Sequence, residues 1–155
     1  TLRDDTEPRR VSVDRMLSQQ VEEVRSGYSE AVFTVEGSFP EEEVMADEML
    51  SSVFRNLLRN AVQHNDETPP TVTVSADLDE AAGVVEVRVA DNGPGVPEDH
   101  RDEVFGKGEK GLDSPGAGIG LYLVRSLIEI YGGDVWIEDN EPKGAVFVVR
   151  LPVAS

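Results

Sequence analysis

Three groups of residues in this 155-residue chain carry atoms suited to a single ligand. The run Phe-Arg-Asn-Leu-Leu-Arg-Asn-Ala-Val-Gln-His at 54–64 sets Asn56 and Asn60 one helical turn apart. Asp91 opens Asp-Asn-Gly-Pro-Gly at 91–95, and Gly116, Gly118 and Gly120 punctuate Gly-Ala-Gly-Ile-Gly-Leu at 116–121. Mg2+ is a hard ion that wants octahedral oxygen and takes few protein ligands beside substrate phosphates and water. The Asn60 carbonyl suits it as a metal ligand, with Asn56 and Gln63 on the same stripe to position phosphates or bound water. Capping or internally satisfied amides are the other reading, but asparagine in mid-helix lowers propensity without offering a cap. Asp91, at a strand's end, can accept a charge-assisted hydrogen bond from an exocyclic amine, which adenine carries and guanine lacks at that position. Gly93 and Gly95 let the backbone turn sharply and approach a flat ring. An ordinary Asp-Asn-Gly turn explains this motif alone equally well.

Gly116, Gly118 and Gly120 lead into a helix, so their N–H groups and the helix dipole form a cradle for phosphate. The dinucleotide fingerprint does not fit, because its third glycine would fall at Leu121 and a loop instead of a strand precedes it. No phosphate-binding P-loop pattern is present. Lys107 and Lys110 stand in the loop before the cradle, where ammonium groups would neutralise β- and γ-phosphate charge during transfer. Solvated loop charges are the alternative. Taken together, the three groups describe a site for ATP and Mg2+.

The elements that must position these groups follow from periodicity. Val13, Met16, Leu17, Val21 and Val24 recur at three- and four-residue spacings, which predicts an opening helix over 13–25, stopped by Gly27 and packed on the domain's edge. Residues 31–35 read as a strand, and after a turn at Phe39 and Pro40 a short extended stretch surrounds Val44. Asp47 caps a helix over 48–64 whose apolar positions, Leu50, Val53, Phe54, Leu57, Leu58 and Ala61, trace one face. At about 100° per residue, Asn56, Asn60 and Gln63 fall within roughly 60° of one another, at the border of that face.

Two β-prone segments, 71–78 and 84–90, form a hairpin through an acidic turn ending in Gly83, and the second delivers Asp91 to the sheet edge. The 27 residues of 92–118 lack periodicity and are rich in glycine and proline, which reads as a lid. A last helix over 119–131 ends at Gly132 and Gly133, and strands at 134–138 and 145–151 close the chain. The sum is an α/β (α+β) two-layer sandwich: a mixed, mostly antiparallel sheet of about five strands with about three helices on one face.

Composition bounds what such a site serves. The length is that of one domain. Hydrophobic residues make up 39%, and no apolar run approaches the roughly 20 residues of a membrane span, nor is there a signal segment. With no cysteine the chain lacks disulfides and thiolate metal sites, and a cytoplasmic location is expected. The net charge of −17, from 31 acidic and 14 basic residues, argues against a nucleic-acid partner. Only Lys107, Lys110 and Lys143 are lysines. The spread of acid along the chain is read as halophilic adaptation, since the screening length falls to about 3 Å at 1 M salt; a merely acidic mesophilic protein has the same composition.

The chain resembles the catalytic, ATP-binding domain of the sensor histidine kinases of two-component systems, within the ATPase superfamily shared with DNA gyrase, Hsp90 and MutL. The resemblance covers about 31–152. Residues 56–64 look like the family's asparagine box, with Asn60 on its magnesium ligand; Asp91, Gly93 and Gly95 look like the first glycine box, with Asp91 on the adenine-reading aspartate. Val104 and Phe105 resemble the phenylalanine box, and 116–121 the second glycine box. The resemblance implies the Bergerat ATP-binding fold and adds His64, Val96, Phe105, Ile119 and Leu121 to the nucleotide-binding positions. It also implies that 29–155 is the catalytic domain, that 1–28 belongs to a helical segment or linker from a dimerisation region, and that transfer runs to a histidine there. A response regulator follows indirectly, with a monomeric isolated domain in a homodimeric parent.

Some positions depart from the family pattern. Gln63 stands where many relatives carry lysine or arginine, Phe105 lacks the second aromatic and arginine of its box, and Ala145 replaces a common threonine, so that an adenine-side hydrogen bond is missing or water-mediated. The superfamily's ATP-hydrolysing machines place a glutamate one turn before the metal asparagine to activate water; Asn56 holds that position and is no base. Phosphotransfer needs mainly positioning and charge neutralisation from this domain. Neither of the two histidines, His64 and His100, looks like the acceptor. A serine kinase of the anti-sigma type, a module that holds ATP without transfer and a hydrolysing machine are the alternatives.

Overall fold

The computed structural model describes residues 8–106 and 117–154. Strand β1 (Arg9–Ser12) runs directly into helix α1 (Val13–Gly27), where the Ser12 hydroxyl accepts from the Arg15 N–H at 3.0 Å and so satisfies one orphan donor of the first turn. Strands β2 (Val32–Val35) and β3 (Glu43–Ala46) precede helix α2 (Leu50–Gln63). The hairpin β4 (Thr71–Asp79) and β5 (Val84–Asp91) follows. After a 3-10 turn (Glu98–His100) come the one-turn helix α3 (Arg101–Val104), helix α4 (Ala117–Ile130) and strands β6 (Asp134–Asp139) and β7 (Ala145–Pro152).

The main sheet has the order β2-β4-β5-β7-β6, parallel only between β2 and β4 and antiparallel elsewhere. This is the expected mixed five-stranded sheet, with α1, α2 and α4 as the three long helices among the described residues. Beside it, β1 pairs antiparallel with β3, a two-stranded piece that the four residues of β1, with one buried valine, do not announce. Helix α1 was expected at the edge. It packs on α2 and on the sheet's edge strand β2, and its apolar stripe, Val13, Leu17, Val21 and Val24, joins the same buried cluster as Phe54, Leu57 and Leu58 of α2. The expected boundary near residue 28 therefore coincides with no break in the core.

Strand periodicity decides where the site opens. On β5, Val85, Val87, Val89 and Asp91 are buried while Val84, Glu86, Arg88 and Ala90 are only partly covered. Alternation at period two thus sets the Asp91 carboxylate on the core-facing side with the three valines. The opposite face carries a charged network: Arg88 pairs with Glu86 and Glu138, and Arg150 pairs with Asp79 and Glu86 and stacks over Trp136 at 5.9 Å. Helix α2 lies on β4 and β5 and between α1 and α4. Five of its six buried side chains, Leu50, Val53, Phe54, Leu57 and Leu58, each contribute roughly 1.5–3 kcal/mol on burial, and the sixth, Ala61, less.

The two helices that flank the site are tied at their far ends. Met49, not the expected Asp47, holds the cap position of α2, with no side-chain cap bond; the Asp47 carboxylate accepts from the Met49 N–H (2.9 Å), and the same oxygen accepts from the Tyr131 hydroxyl just past α4. Burial and the Asp47 carboxylate hold the Tyr131 phenol well above the usual tyrosine range.

Candidate functional site

Helix α2 is the spine of the site. At its middle the Asn56 Nδ2 donates to the Ser52 carbonyl (2.8 Å), which aims Oδ1 at the first turns of α4: a Cβ on Gly120 would lie 2.8 Å from it. Near its end, a Cβ on Gly93 would lie 3.4 Å from both the His64 carbonyl and the Asn65 Cα. Asn60 stands four residues from each contact, about 6 Å along the axis either way at 1.5 Å per residue. The helix therefore brings the metal-ligand candidate, the glycine-rich helix entry and the Asp91 loop to one place. The Asn60 carboxamide is half-buried and makes no hydrogen bond to a described residue.

Asp91 is 8% exposed. Its Oδ1 accepts from the Gly93 N–H (2.9 Å) and the Ala145 N–H (3.2 Å), leaving Oδ2 with no partner among the described residues. Position 145 thus contributes a backbone donor to the aspartate, while the alanine side chain has no hydrogen-bonding group. Burial raises the Asp91 carboxyl above the usual aspartate range, against the opposing pull of the two N–H groups. An ionised oxygen with a free lone pair in a buried setting is a strong acceptor for an amine.

Close backbone approach fixes the loop around it. Gly95 has φ +79° and a Cβ there would lie 3.1 Å from the Gly144 carbonyl; at Gly144 itself, φ is +112° and a Cβ would lie 2.0 Å from the Asp91 carbonyl. Asn140 Nδ2 donates to that same carbonyl at 2.6 Å. From the other side, Asn92 Oδ1 accepts from Asn65 Nδ2 (2.7 Å) and the Thr71 N–H (2.9 Å). Asn140, Gly144, Asn65 and Asn92 were not singled out in the sequence. For Gly144 the signal was available, in the glycine of the last turn; the amides lacked one, since their partners are distant in the chain.

The segment after Gly95 is anchored at its base. Arg101 donates to the Val96 carbonyl and the Ile137 carbonyl, both at 3.1 Å, and pairs with Asp139. Phe105 is buried, edge-on to Phe147 at 6.1 Å and beneath the Arg125 guanidinium at 5.6 Å, so its ring holds the segment to the core. Leu121 is likewise a core residue, and Gly118 and Ile119 form the first turn of α4. Gln63 departs from its expected direction: its Nε2 donates to the Tyr28 hydroxyl at 2.7 Å, toward the end of α1. His64 is exposed and its N–H closes the helix on the Asn60 carbonyl. Lys107, Lys110 and Gly116 lie outside the described residues.

Among the described residues no cluster of three or more histidines, cysteines or carboxylates is set to cage a metal. A cation at Asn60 has to bring most of its oxygen ligands as phosphate and water, which is how Mg2+ binds nucleotides. The donor set fits that ion.

Comparison with known proteins gives the family and the fold. Residues 46–155 match the family model described as histidine kinase-, DNA gyrase B-, and HSP90-like ATPase. The adaptive-response sensory kinase SasA of Nostoc sp. is 32% identical over 153 residues, covering 94% of this chain and 37% of that protein. The sensor protein KdpD of Rathayibacter rathayi is 35% identical over 153 residues, covering 95% of the chain and 17% of KdpD. The chain spans about a third of the length of the SasA relatives it matches. Among solved structures, a mycobacterial sensor histidine kinase, MprB, superposes with a TM-score of 0.79 at 26% identity, over 94% of this chain and 97% of that one. Full-length ShkA in complex with AMPPNP gives 0.77 at 29% identity, over 96% of this chain and 31% of that one.

Proposed function

Because the chain belongs to the histidine kinase-, DNA gyrase B- and HSP90-like ATPases, we propose that it binds Mg-ATP and passes the γ-phosphoryl group to a histidine on a separate dimerisation domain. The observation that carries this reading is the convergence along α2, where Asn56 meets Gly120, the helix end meets Gly93 and Asn60 lies between them with no side-chain hydrogen bond among the described residues. In it, Asp91 Oδ2 accepts the adenine amine and Gly93 and Gly95 give the ring its backbone floor. Asn60 supplies one oxygen to Mg2+, and the N-terminal turn of α4, with Gly116, Gly118 and Gly120, receives phosphate. Lys107 and Lys110 neutralise phosphate charge in the transition state. Gln63 would join only by giving up its bond to Tyr28.

Transfer is favoured over hydrolysis by Asn56. Its amide nitrogen is committed to Ser52, its oxygen faces Gly120, and a carboxamide cannot take a proton from water. A relative named for its AMPPNP complex supports nucleotide binding in this fold. In the same reading the parent protein is a homodimer signalling to a response regulator, the domain works in the cytoplasm without touching membrane or nucleic acid, and its acid excess is an adaptation to high salt. Among the described residues no helix is long and apolar enough to cross a membrane.

Radiolabelled ATP with the full-length parent tests the reaction. An acid-labile, base-stable mark is expected; an acid-stable mark would assign the chain to serine phosphorylation. Titration with and without Mg2+ tests the site: Asn60→Ala should lose the metal-dependent part of the affinity, and a variant equal to wild type would remove Asn60 from its role.

A further inference from the structure

Asn140 sits in the β6–β7 turn, 49 residues from Asp91, and belongs to none of the sequence motifs. The β5–β7 ladder pairs Ala90 with Val146 and stops there. Asp91 is the next residue of β5, and Ala145, which faces it in the same register, gives its N–H to the Asp91 carboxylate. Gly144, the residue just before β7, is turned to φ +112° and so close that a Cβ would stand 2.0 Å from the Asp91 carbonyl. The Asn140 side chain holds that carbonyl: Nδ2 donates to it at 2.6 Å while Oδ1 accepts from the Glu141 N–H at 2.9 Å. The Asn140 N–H closes the turn on the Gly144 carbonyl at 3.0 Å. The two side-chain bonds have opposite polarity, which fixes the amide's orientation.

We infer that Asn140 is a positioning residue for purine selection, holding the Asp91 main chain so that its free carboxylate oxygen meets the base's exocyclic amine. The inference rests on the proposed adenine role of Asp91 and adds to it the residue that sets its aim. Asp91 Oδ1 is held by Gly93 and Ala145, so Oδ2 points where the Asp91 backbone directs it. A shift of a few tenths of an ångström spoils a hydrogen bond to a rigid ring more than it spoils stacking or phosphate contacts. Loss of the clamp should therefore appear as lost discrimination between bases more than as lost binding.

The test compares ATP with the triphosphate of purine riboside, which lacks the amine, by calorimetry on wild type, Asn140→Asp, Asn140→Ala and Glu141→Ala. Asn140→Asp keeps the acceptor for Glu141 but replaces the donor with a charged carboxylate oxygen, and Asn140→Ala removes the donor without adding charge. Wild type should prefer ATP; Asn140→Asp and Asn140→Ala should bind ATP about tenfold more weakly and bind the deaminated analogue as wild type does. Glu141→Ala, an exposed side chain of the same turn, should keep the wild-type ratio. Equal weakening toward both ligands, an unchanged ratio, or the same loss in Glu141→Ala would overturn the inference while leaving Asp91's role intact. A wild type that does not distinguish the two ligands would remove that role, and Asn140's with it. Should Asn140→Asp fold poorly, the ratio in Asn140→Ala decides the matter.

Discussion

The Asn56 Oδ1 stands 2.8 Å from the point a Cβ on Gly120 would occupy. That is closer than real Cβ contacts allow, but the obstructing atom is the tip of a side chain, which can turn away. Gly120→Ala should therefore fold. Alanine is about 1 kcal/mol better than glycine inside a helix, which offsets the cost of moving Asn56, so the unfolding free energy should stay within about 1 kcal/mol of wild type. Nucleotide affinity should fall about tenfold or more, equivalent to about 1.4 kcal/mol, because Asn56 leaves its place between Ser52 and the helix entry. Urea melts and ATP titration on one preparation check both halves; a stable variant with wild-type affinity would show Asn56 to be irrelevant to the nucleotide.

Gly144→Ala poses the opposite case. The obstruction at 2.0 Å is the Asp91 main-chain carbonyl, and φ of +112° is itself strained for any side chain. Backbone strain and overpacking each cost about 1–3 kcal/mol, so a loss of roughly 3 kcal/mol or more is expected. Chemical denaturation with and without ATP measures it, and a loss below about 1 kcal/mol would mean that the β6–β7 turn moves freely away from Asp91.

The Asp47–Tyr131 bond joins the start of α2 to the end of α4, two helices that also meet where Asn56 faces Gly120. Hydrogen bonds to charged groups contribute about 1.5–3 kcal/mol, and Tyr131→Phe should lose about that. The phenol's raised pKa means that the folded protein holds its proton longer than the unfolded chain. This stabilisation is complete below the ordinary tyrosine pKa and declines as pH rises above it. Unfolding of wild type and Tyr131→Phe should therefore converge in strong alkali; a constant difference across that range would contradict the assignment.

Much of this architecture was written in local patterns. The alternation of Val85, Val87 and Val89 carries Asp91 to the core side by simple parity, and the stripe of α2 puts Asn56 and Asn60 at its border. Angular position on a helix does not say which neighbour lies across the border. Gln63 shares the stripe with Asn56 and Asn60, yet meets Tyr28, 35 residues earlier in the chain. Strand β1 was invisible because its identity comes from pairing with β3, not from its own residues. Asn140, Asn65 and Asn92 act through bonds spanning 21 to 49 residues, and asparagine in a polar turn carries no mark of such a partner.

The acid excess leads to a salt dependence. With a net charge of −17, like-charge repulsion extends over about 10 Å at 0.1 M salt and about 3 Å at 1 M. Thermal stability should rise steadily with KCl over that range. Surface ion pairs such as Lys143 with Glu67 and Asp66 weaken in the same range, but exposed pairs contribute about 0–1 kcal/mol each, too little to reverse the trend. A melting temperature that is flat or falls with KCl would refute the halophilic reading.

The raised pKa of Asp91 gives two pH trends of opposite sign. Burial favours the protonated form in the folded state, so as pH falls the folded protein takes up this proton before the unfolded chain does. Asp91's own contribution to stability is thus fully present below the ordinary aspartate pKa and lost as pH rises through the shifted one. Binding runs the other way, since only the ionised Oδ2 accepts the amine without competition from its own proton. Asp91→Asn keeps the acceptor for Gly93 and Ala145 but turns an N–H toward the amine, so it should bind ATP weakly at every pH. The difference between wild type and Asp91→Asn isolates this group from the other carboxylates and from ATP's own protonation. In that difference, affinity should decline on acidification from above the usual carboxylate range while stability rises. Parallel trends in the two measurements would mean that the group titrating is not the one that holds the base.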